Sequence, residues 1–265
     1  VFIARQSLTF LIGATLLCAV PGGCGSAPDT IPTTQPLTQP AGDPNVIISL
    51  PGQQRVFLLD VYQVVVPFGA VSRNSDFWRH VDEDAIDPLT KDLLLKNGLR
   101  SGLAPSRDWD FFRDQIEQNP HTSRSGSAVA TGTGAIELPM KQNIAEQTIF
   151  FFSENAAPQG RTYEKCDDLI GVSFWPDRRR PGEMHISLSP TIRTERRMEF
   201  TVRGEERVLT SVRPEHLYEL NLRTLLPLDQ FLVIGLSPAG NQPSSIGHQF
   251  LTIEGGPELK EQVLI

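Results

Sequence analysis

The sequence predicts an α+β chain that is mostly β. A small layered α+β N-terminal unit over residues 46–118 is followed by an antiparallel β-sandwich or sheet pair over residues 119–265. Three observations carry this expectation. Polar–apolar alternation of period two recurs in short segments from residue 185 onward, with Gly and Pro between them and no helical spacing. Apolar residues at helical spacing follow capping residues between positions 75 and 118. Two nearly unbroken apolar runs, Val56–Val66 and Phe231–Ile234, read as strands, the second covered on both faces. With 265 residues the chain is long enough to bury a sizeable core.

Residues 1–24 read as an export signal rather than as part of the fold. Arg5 is their one charge, Phe10–Val20 is an uncharged apolar run short for a bilayer, and Gly22 and Gly23 follow. The apolar run, the small residues, Cys24 and the Pro-rich stretch behind it resemble a bacterial lipoprotein signal, with Pro21 standing where that family has Leu or Val. The resemblance implies that Cys24 becomes the lipid-bearing first residue. It also implies an exported protein, lipid-anchored to the cell envelope and placed on the outer membrane facing the periplasm. Plain secretion and a retained membrane anchor are the alternatives. Residues 25–45 form a linker, because Pro28, Pro32, Pro36, Pro40 and Pro44 recur among Thr, Gln, Ala and Asp and nothing there can bury apolar area. Extended at ~3.1 Å per residue, this linker reaches roughly 60 Å from its anchor. Cys18 lies inside the signal, so Cys166 has no intramolecular disulfide partner and reads as a small, partly buried residue.

Residues 46–118 supply the mixed unit. Val56–Val66 is its first strand. Ser75 is placed to cap a short helix carrying Phe77, Trp78 and Val81. Asp87 before Pro88 makes an N-cap and N1 pair, and the stripe Leu89, Leu93, Leu94 stops at Asn97-Gly98. Leu99–Leu103 is a second strand, and Ser106 is placed to cap a helix with Trp109, Phe112 and Ile116. The right-handed crossover rule lets the two strands lie side by side and parallel.

Residues 119–135 are rich in Gly, Ser and Thr and read as a loop or edge strand. Ser125–Gly134 looks like a phosphate loop but lacks the Lys-Ser/Thr that should follow. Thr148–Phe152, Leu169–Trp175 and His185–Ser189 are strand-like, with Arg178–Gly182 as an exposed turn. Arg197–Arg203 and Arg207–Val212 flank Gly204-Glu205 and predict a hairpin. Leu217–Leu226, Phe231–Ile234, Gln249–Ile253 and Gln262–Ile265 complete the strand set, with a loop marked by Pro238, Gly240 and Pro243.

Catalytic and metal chemistry find little support. The formal charge of −7, mixed in sign along the chain, argues against nucleic acid as a partner. His80-Val81-Asp82-Glu83-Asp84 gathers an imidazole and three carboxylates without calcium-loop or zinc spacing, and reads as a solvated acidic helix end. His121, His185, His216 and His248 belong to no zinc motif, and no Gly-x-Ser-x-Gly elbow occurs. Asp167-Asp168 reads as a turn, since neighbours in a strand face opposite ways. Glu195 with Glu199 is a carboxylate pair the fold would have to assemble. No cofactor is implied. Trp78, Trp109 and Trp175 read either as core or as stacking platforms.

The landmarks His185–Ile192 with Pro190, Leu228–Leu236 with Gly235, Ile246–Leu251 with Gly247, and Glu261–Ile265 resemble in order those of secretins, ring-forming outer-membrane channels. One Gly235 and one Ile246-Gly247 stand where that family has doubled features. The whole chain is also similar to lipoproteins of planctomycete-type bacteria. The secretin resemblance implies an envelope setting. With the lipoprotein-like start, the Pro-rich linker, the β-rich body and the absence of a catalytic constellation, it points to a non-catalytic envelope lipoprotein, a structural or assembly component related to secretin-type machinery, with membrane contact through its lipid and with protein partners. The alternatives are a peptide- or glycan-binding module and a hydrolase whose acids converge only in the fold.

Overall fold

A computed structural model describes residues 5–6, 56–153, 157–202, 205–254 and 258–265. The fold is mostly β, with an N-terminal α/β part and two antiparallel sheets. Cys24 and the Pro-rich residues 25–45 lie outside the described residues.

The first sheet is built on β2 (Phe57–Pro67), whose Val61, Val64, Val65 and Val66 suit a pleated, buried surface. A two-residue strand, β1 (Arg5–Gln6), pairs with its start, which differs from the expectation that residues 1–24 lie outside the fold. The main order is β4 (Ser123–Val129), β2, β12 (Leu259–Leu264), β10 (Gln230–Leu236), β3 (Leu99–Pro105), every pair antiparallel. A short β11 (Thr252–Glu254) pairs with β12. This corrects one expectation. β2 and β3 are not parallel neighbours, because β12 and β10 from the chain's far end lie between them. The strands of this sheet therefore come from both sides of residue 118.

Two of the helices pack on one face of the sheet. The helix α1 (Ser75–Trp78) is capped by Asn74, not Ser75; the Asn74 Oδ1 accepts from the N–H groups of Asp76 and Phe77 at 3.0 and 3.3 Å. The helix α3 (Trp109–Gln118) starts after a 3₁₀ turn at Ser106–Asp108, with no side-chain cap from Ser106. Phe77, Phe112 and Phe231 meet edge-to-face with centroids 5.0–5.2 Å apart, and Trp109 packs on Phe231 at 5.5 Å. A side chain at Gly235 would press on the Trp78 ring, 3.1 Å from the position of a Cβ.

The other face meets the second sheet. Its order is β5 (Gly134–Phe152), β6 (Pro158–Pro176), β7 (Glu183–Val202), and β7's far side is shared by β9 (Leu222–Pro227) and β8 (Glu205–His216). The expected hairpin is present, with Val202 opposite Glu205. Leu99, Ser101 and Ile234 of the first sheet face Ile170, Leu188 and Leu222 of the second. Buried apolar residues run through both sheets as one core.

Two further segments differ from expectation. Leu217–Leu226 is not one strand: a 3₁₀ turn at Tyr218–Leu220 precedes β9. Gln249–Ile253 is not a strand either, because it straddles α4 (Ile246–Leu251) and β11. Ser245 caps α4, its Oγ accepting from the His248 N–H at 3.2 Å. The helix reaches this position because Gly247 lies against Gly98: a Cβ at 247 would stand 2.0 Å from the Gly98 carbonyl oxygen.

Candidate functional site

The helix α2 (Pro88–Lys96) begins as the sequence predicts. The Asp87 carboxylate accepts from the Thr90 N–H at 2.9 Å, and this bond holds its pKa below the ordinary value. The helix stops at Asn97, whose side chain donates to the Leu93 and Phe152 carbonyls and accepts from the Phe152 N–H. This bracket fixes α2 to the end of β5.

The apolar stripe of α2 is longer than the core requires. Leu94 is buried and Leu93 packs against the core, but Leu89 is 83% exposed. Across from it, the 3₁₀ turn after β8 buries Leu220 and leaves Tyr218 68% exposed. Between α2 and this turn runs a groove of about 510 Å³, with Leu94 and Leu220 among its apolar lining. Asp87, Asp92, Lys96, Glu219 and Arg223 are its charged lining groups. The groove thus offers an aliphatic and an aromatic side chain, both already in water, beside charges of both signs. It can take an extended ligand with an apolar group and polar ends.

The residues singled out in the sequence go elsewhere. His80 Nδ1 lies 3.1 Å from Asp108 Oδ2, and the His80 ring stacks on Phe111 at 4.2 Å. Asp82 caps a 3₁₀ turn through the Asp84 N–H, Glu83 pairs with Arg100 at 2.6 Å, and Asp84 pairs with Lys91 at 2.6 Å. Among the described residues no three His, Cys, Asp or Glu side chains gather as metal ligands. His185 Nε2 lies 2.8 Å from Asp177 and stacks on Trp175, while His216 Nδ1 lies 2.9 Å from Thr191 Oγ1. His248 is buried beside the Gly240 carbonyl, and burial pushes its pKa down. His121 is exposed in a turn.

Asp167-Asp168 is not a turn but sits inside β6, and the two carboxylates diverge. Asp167 accepts from Arg193 at 3.0 Å and from the Asn143 N–H at 2.8 Å. Asp168 is fully buried; it accepts from Gln147 Nε2 at 2.6 Å, and burial pushes its pKa up to about 6. The same Gln147 group donates to Cys166 Sγ at 3.2 Å. Burial pushes the Cys166 thiol up to about 11, so it stays protonated at neutral pH. The side chain of Glu199 lies outside the described residues, so the Glu195–Glu199 pair is not described.

Neither Trp78 nor Trp109 is a platform: both are packed among the aromatics between helices and sheet. Arg178–Gly182 is an exposed turn, as the sequence indicates, with Arg179 and Arg180 N–H groups donating to Asp177. Ser125–Gly134, the phosphate-loop lookalike, takes in the last five residues of the edge strand β4 and ends on the first residue of β5. Sequence reasoning missed the groove. Its one local signal was Leu89, an apolar residue on a helix whose inward face was already supplied by Leu93 and Leu94. Tyr218 gave none, because it alternated correctly for a strand that does not form. Among the described residues no helix is long and apolar enough to cross a membrane. No family model, curated protein or solved structure matches the chain.

Proposed function

We propose that this chain is a non-catalytic docking module of the cell envelope, whose groove between α2 and the Tyr218–Leu220 turn takes a short peptide segment of a protein partner. The lipoprotein-like start supports placement by a lipid on Cys24, and the Pro-rich residues 25–45 support presentation of the folded part away from the membrane. The observation that carries the docking role is the pair Leu89 and Tyr218, 83% and 68% exposed beside one groove with buried leucines in its lining. Covering an exposed Leu or Tyr is worth about 2 kcal/mol each. A peptide is favoured over a glycan because the tryptophans best suited to stack on sugar rings are held in packing contacts of their own. An envelope assembly is one setting in which such a segment is presented.

Selection of a random peptide library on the purified chain tests this. The expected result is a consensus with an apolar anchor that binds wild type and binds Leu89→Asp or Tyr218→Ala at least tenfold more weakly. Both variants should keep the wild-type unfolding midpoint, since both side chains are exposed. A consensus that binds the variants equally well would place the docking surface elsewhere.

A further inference from the structure

The paired strands β5 and β6 change direction part-way along their length. Their register slips between Pro139 and Ile144, and beyond the slip Ile144–Phe152 pairs with Pro158–Cys166 as an outer arm. β7 accompanies β6 only as far as Thr194 opposite Cys166, so the arm leaves the sheet there. Two residues at the slip, Asn143 and Lys165, hold φ angles of 58° and 46°. Asn tolerates left-handed backbone, but in a lysine the Cβ crowds the following carbonyl oxygen.

Side chains hold the inside of the bend. Gln147 stands opposite Tyr163 in register, five residues from Asp168. In a straight strand those five residues span roughly 17 Å. Yet Gln147 Nε2 donates to Asp168 Oδ1 at 2.6 Å and to Cys166 Sγ at 3.2 Å. The contact exists only while the arm is bent over. The pair is also incomplete: Gln147 Oε1 and Asp168 Oδ2 are both buried without a partner. Both atoms are acceptors, and what they lack is a hydrogen. A carboxylic acid and a primary amide can join through two hydrogen bonds, N–H to carboxyl oxygen and O–H to amide oxygen. One proton on Asp168 Oδ2 supplies the second bond and answers both atoms.

We propose that this proton closes a clasp between Gln147 and Asp168, which makes the bend in β5–β6 a pH-sensitive hinge. Lys141, opposite Asp168 on β5, favours the carboxylate and Asp167 opposes it; burial dominates and pushes Asp168 up to about 6. Cys166 stays a thiol, and Ile192 opposite Asp168 on β7 carries no charge. Glu254 on β11 and His248 on α4 act on Lys141, whose own pKa burial lowers. As pH rises through about 6 the proton leaves, two bare acceptors remain, and the strained backbone is released. The arm ends at Phe152, bracketed by Asn97, and at Ser153 in the groove lining. An open clasp therefore loosens one groove wall. That consequence rests on the docking role of the groove; the clasp itself does not.

Hydrogen exchange of the full chain at pH 5 and pH 7.5, read by mass spectrometry and corrected for the intrinsic pH dependence of exchange, tests the clasp. Wild type is expected to lose at least fivefold protection in residues 144–152 and 158–165 at the higher pH, with Gln230–Leu236 of β10 unchanged. Asp168→Asn, whose amide carries the second donor at every pH, should keep the arm protected at both values. Arm protection that ignores pH, that falls in Asp168→Asn as in wild type, or that falls equally in β10 overturns the proposal. Affinity for the selected peptide at the same two pH values tests the link to the groove separately. Tighter binding at pH 5 in wild type but not in Asp168→Asn supports the link; equal affinities sever it, and the exchange result still decides the clasp.

Discussion

Asp168 carries a carboxyl group removed from water. Its carboxyl is fully buried, its Oδ2 has no partner, and its pKa is pushed from 3.8 up to about 6. Between those values the folded state holds more protons than the unfolded one, so this group's contribution to stability falls as pH rises from about 4 through 6. Asp168→Asn keeps an acceptor for Gln147 and removes the charge. The expected outcome, from urea unfolding at pH 4.5 and 7.5, is that the variant gains about 2 kcal/mol relative to wild type at the higher pH and far less at the lower. Equal differences at both pH values would mean that Asp168 is solvated. The sequence held the useful half of this result: neighbouring residues of a strand diverge, and so Asp167 and Asp168 form no carboxylate pair. It did not show that the pair lies in a strand, because Lys165-Cys166-Asp167-Asp168 carries no apolar alternation to reveal it.

At the scale of elements, the capped helix α2 and the apolar strands β2 and β10 were legible because their signals are local: Asp87-Pro88 at a start, Asn97-Gly98 at a stop, valines in a run. The long strands were visible only where their inward face is apolar. β5, β6 and β7 extend through polar residues to 19, 19 and 20 residues. The helix α4 was misread because Gln249-Phe250-Leu251-Thr252-Ile253 imitates a strand, while the features that settle it are a Ser245 cap and a backbone approach from Gly98. That approach is testable. Gly247→Ala brings a methyl to 2.0 Å from the Gly98 carbonyl oxygen, against backbone that has no rotamer to yield. Calorimetric unfolding should show a loss of roughly 3 kcal/mol. A loss under about 0.5 kcal/mol, the range of ordinary surface substitutions, would show that α4 does not pack on Gly98.

For the whole molecule, strand pairing was the illegible part. The sheet interleaves β12 and β10 between β2 and β3, and nothing local in residues 56–105 announces partners more than a hundred residues away. Residues 46–118 made alone would therefore leave β2 and β3 without their neighbours. Circular dichroism and amide dispersion of that fragment are expected to show an unfolded chain; a cooperative thermal transition would contradict the sheet order. The groove belongs to the same scale, since α2 and the Tyr218 turn are distant in sequence and are brought together by the sheets between them.

Site-specific photo-crosslinking in intact cells tests the docking role most directly. A photoreactive residue is placed at position 89, at position 218, and at Arg113 on α3 as a control away from the groove. The expected result is one short segment of one protein, identified by mass spectrometry, attached to both groove positions and absent from the control. Adducts missing from positions 89 and 218, or found equally at 113, would contradict a peptide-docking groove.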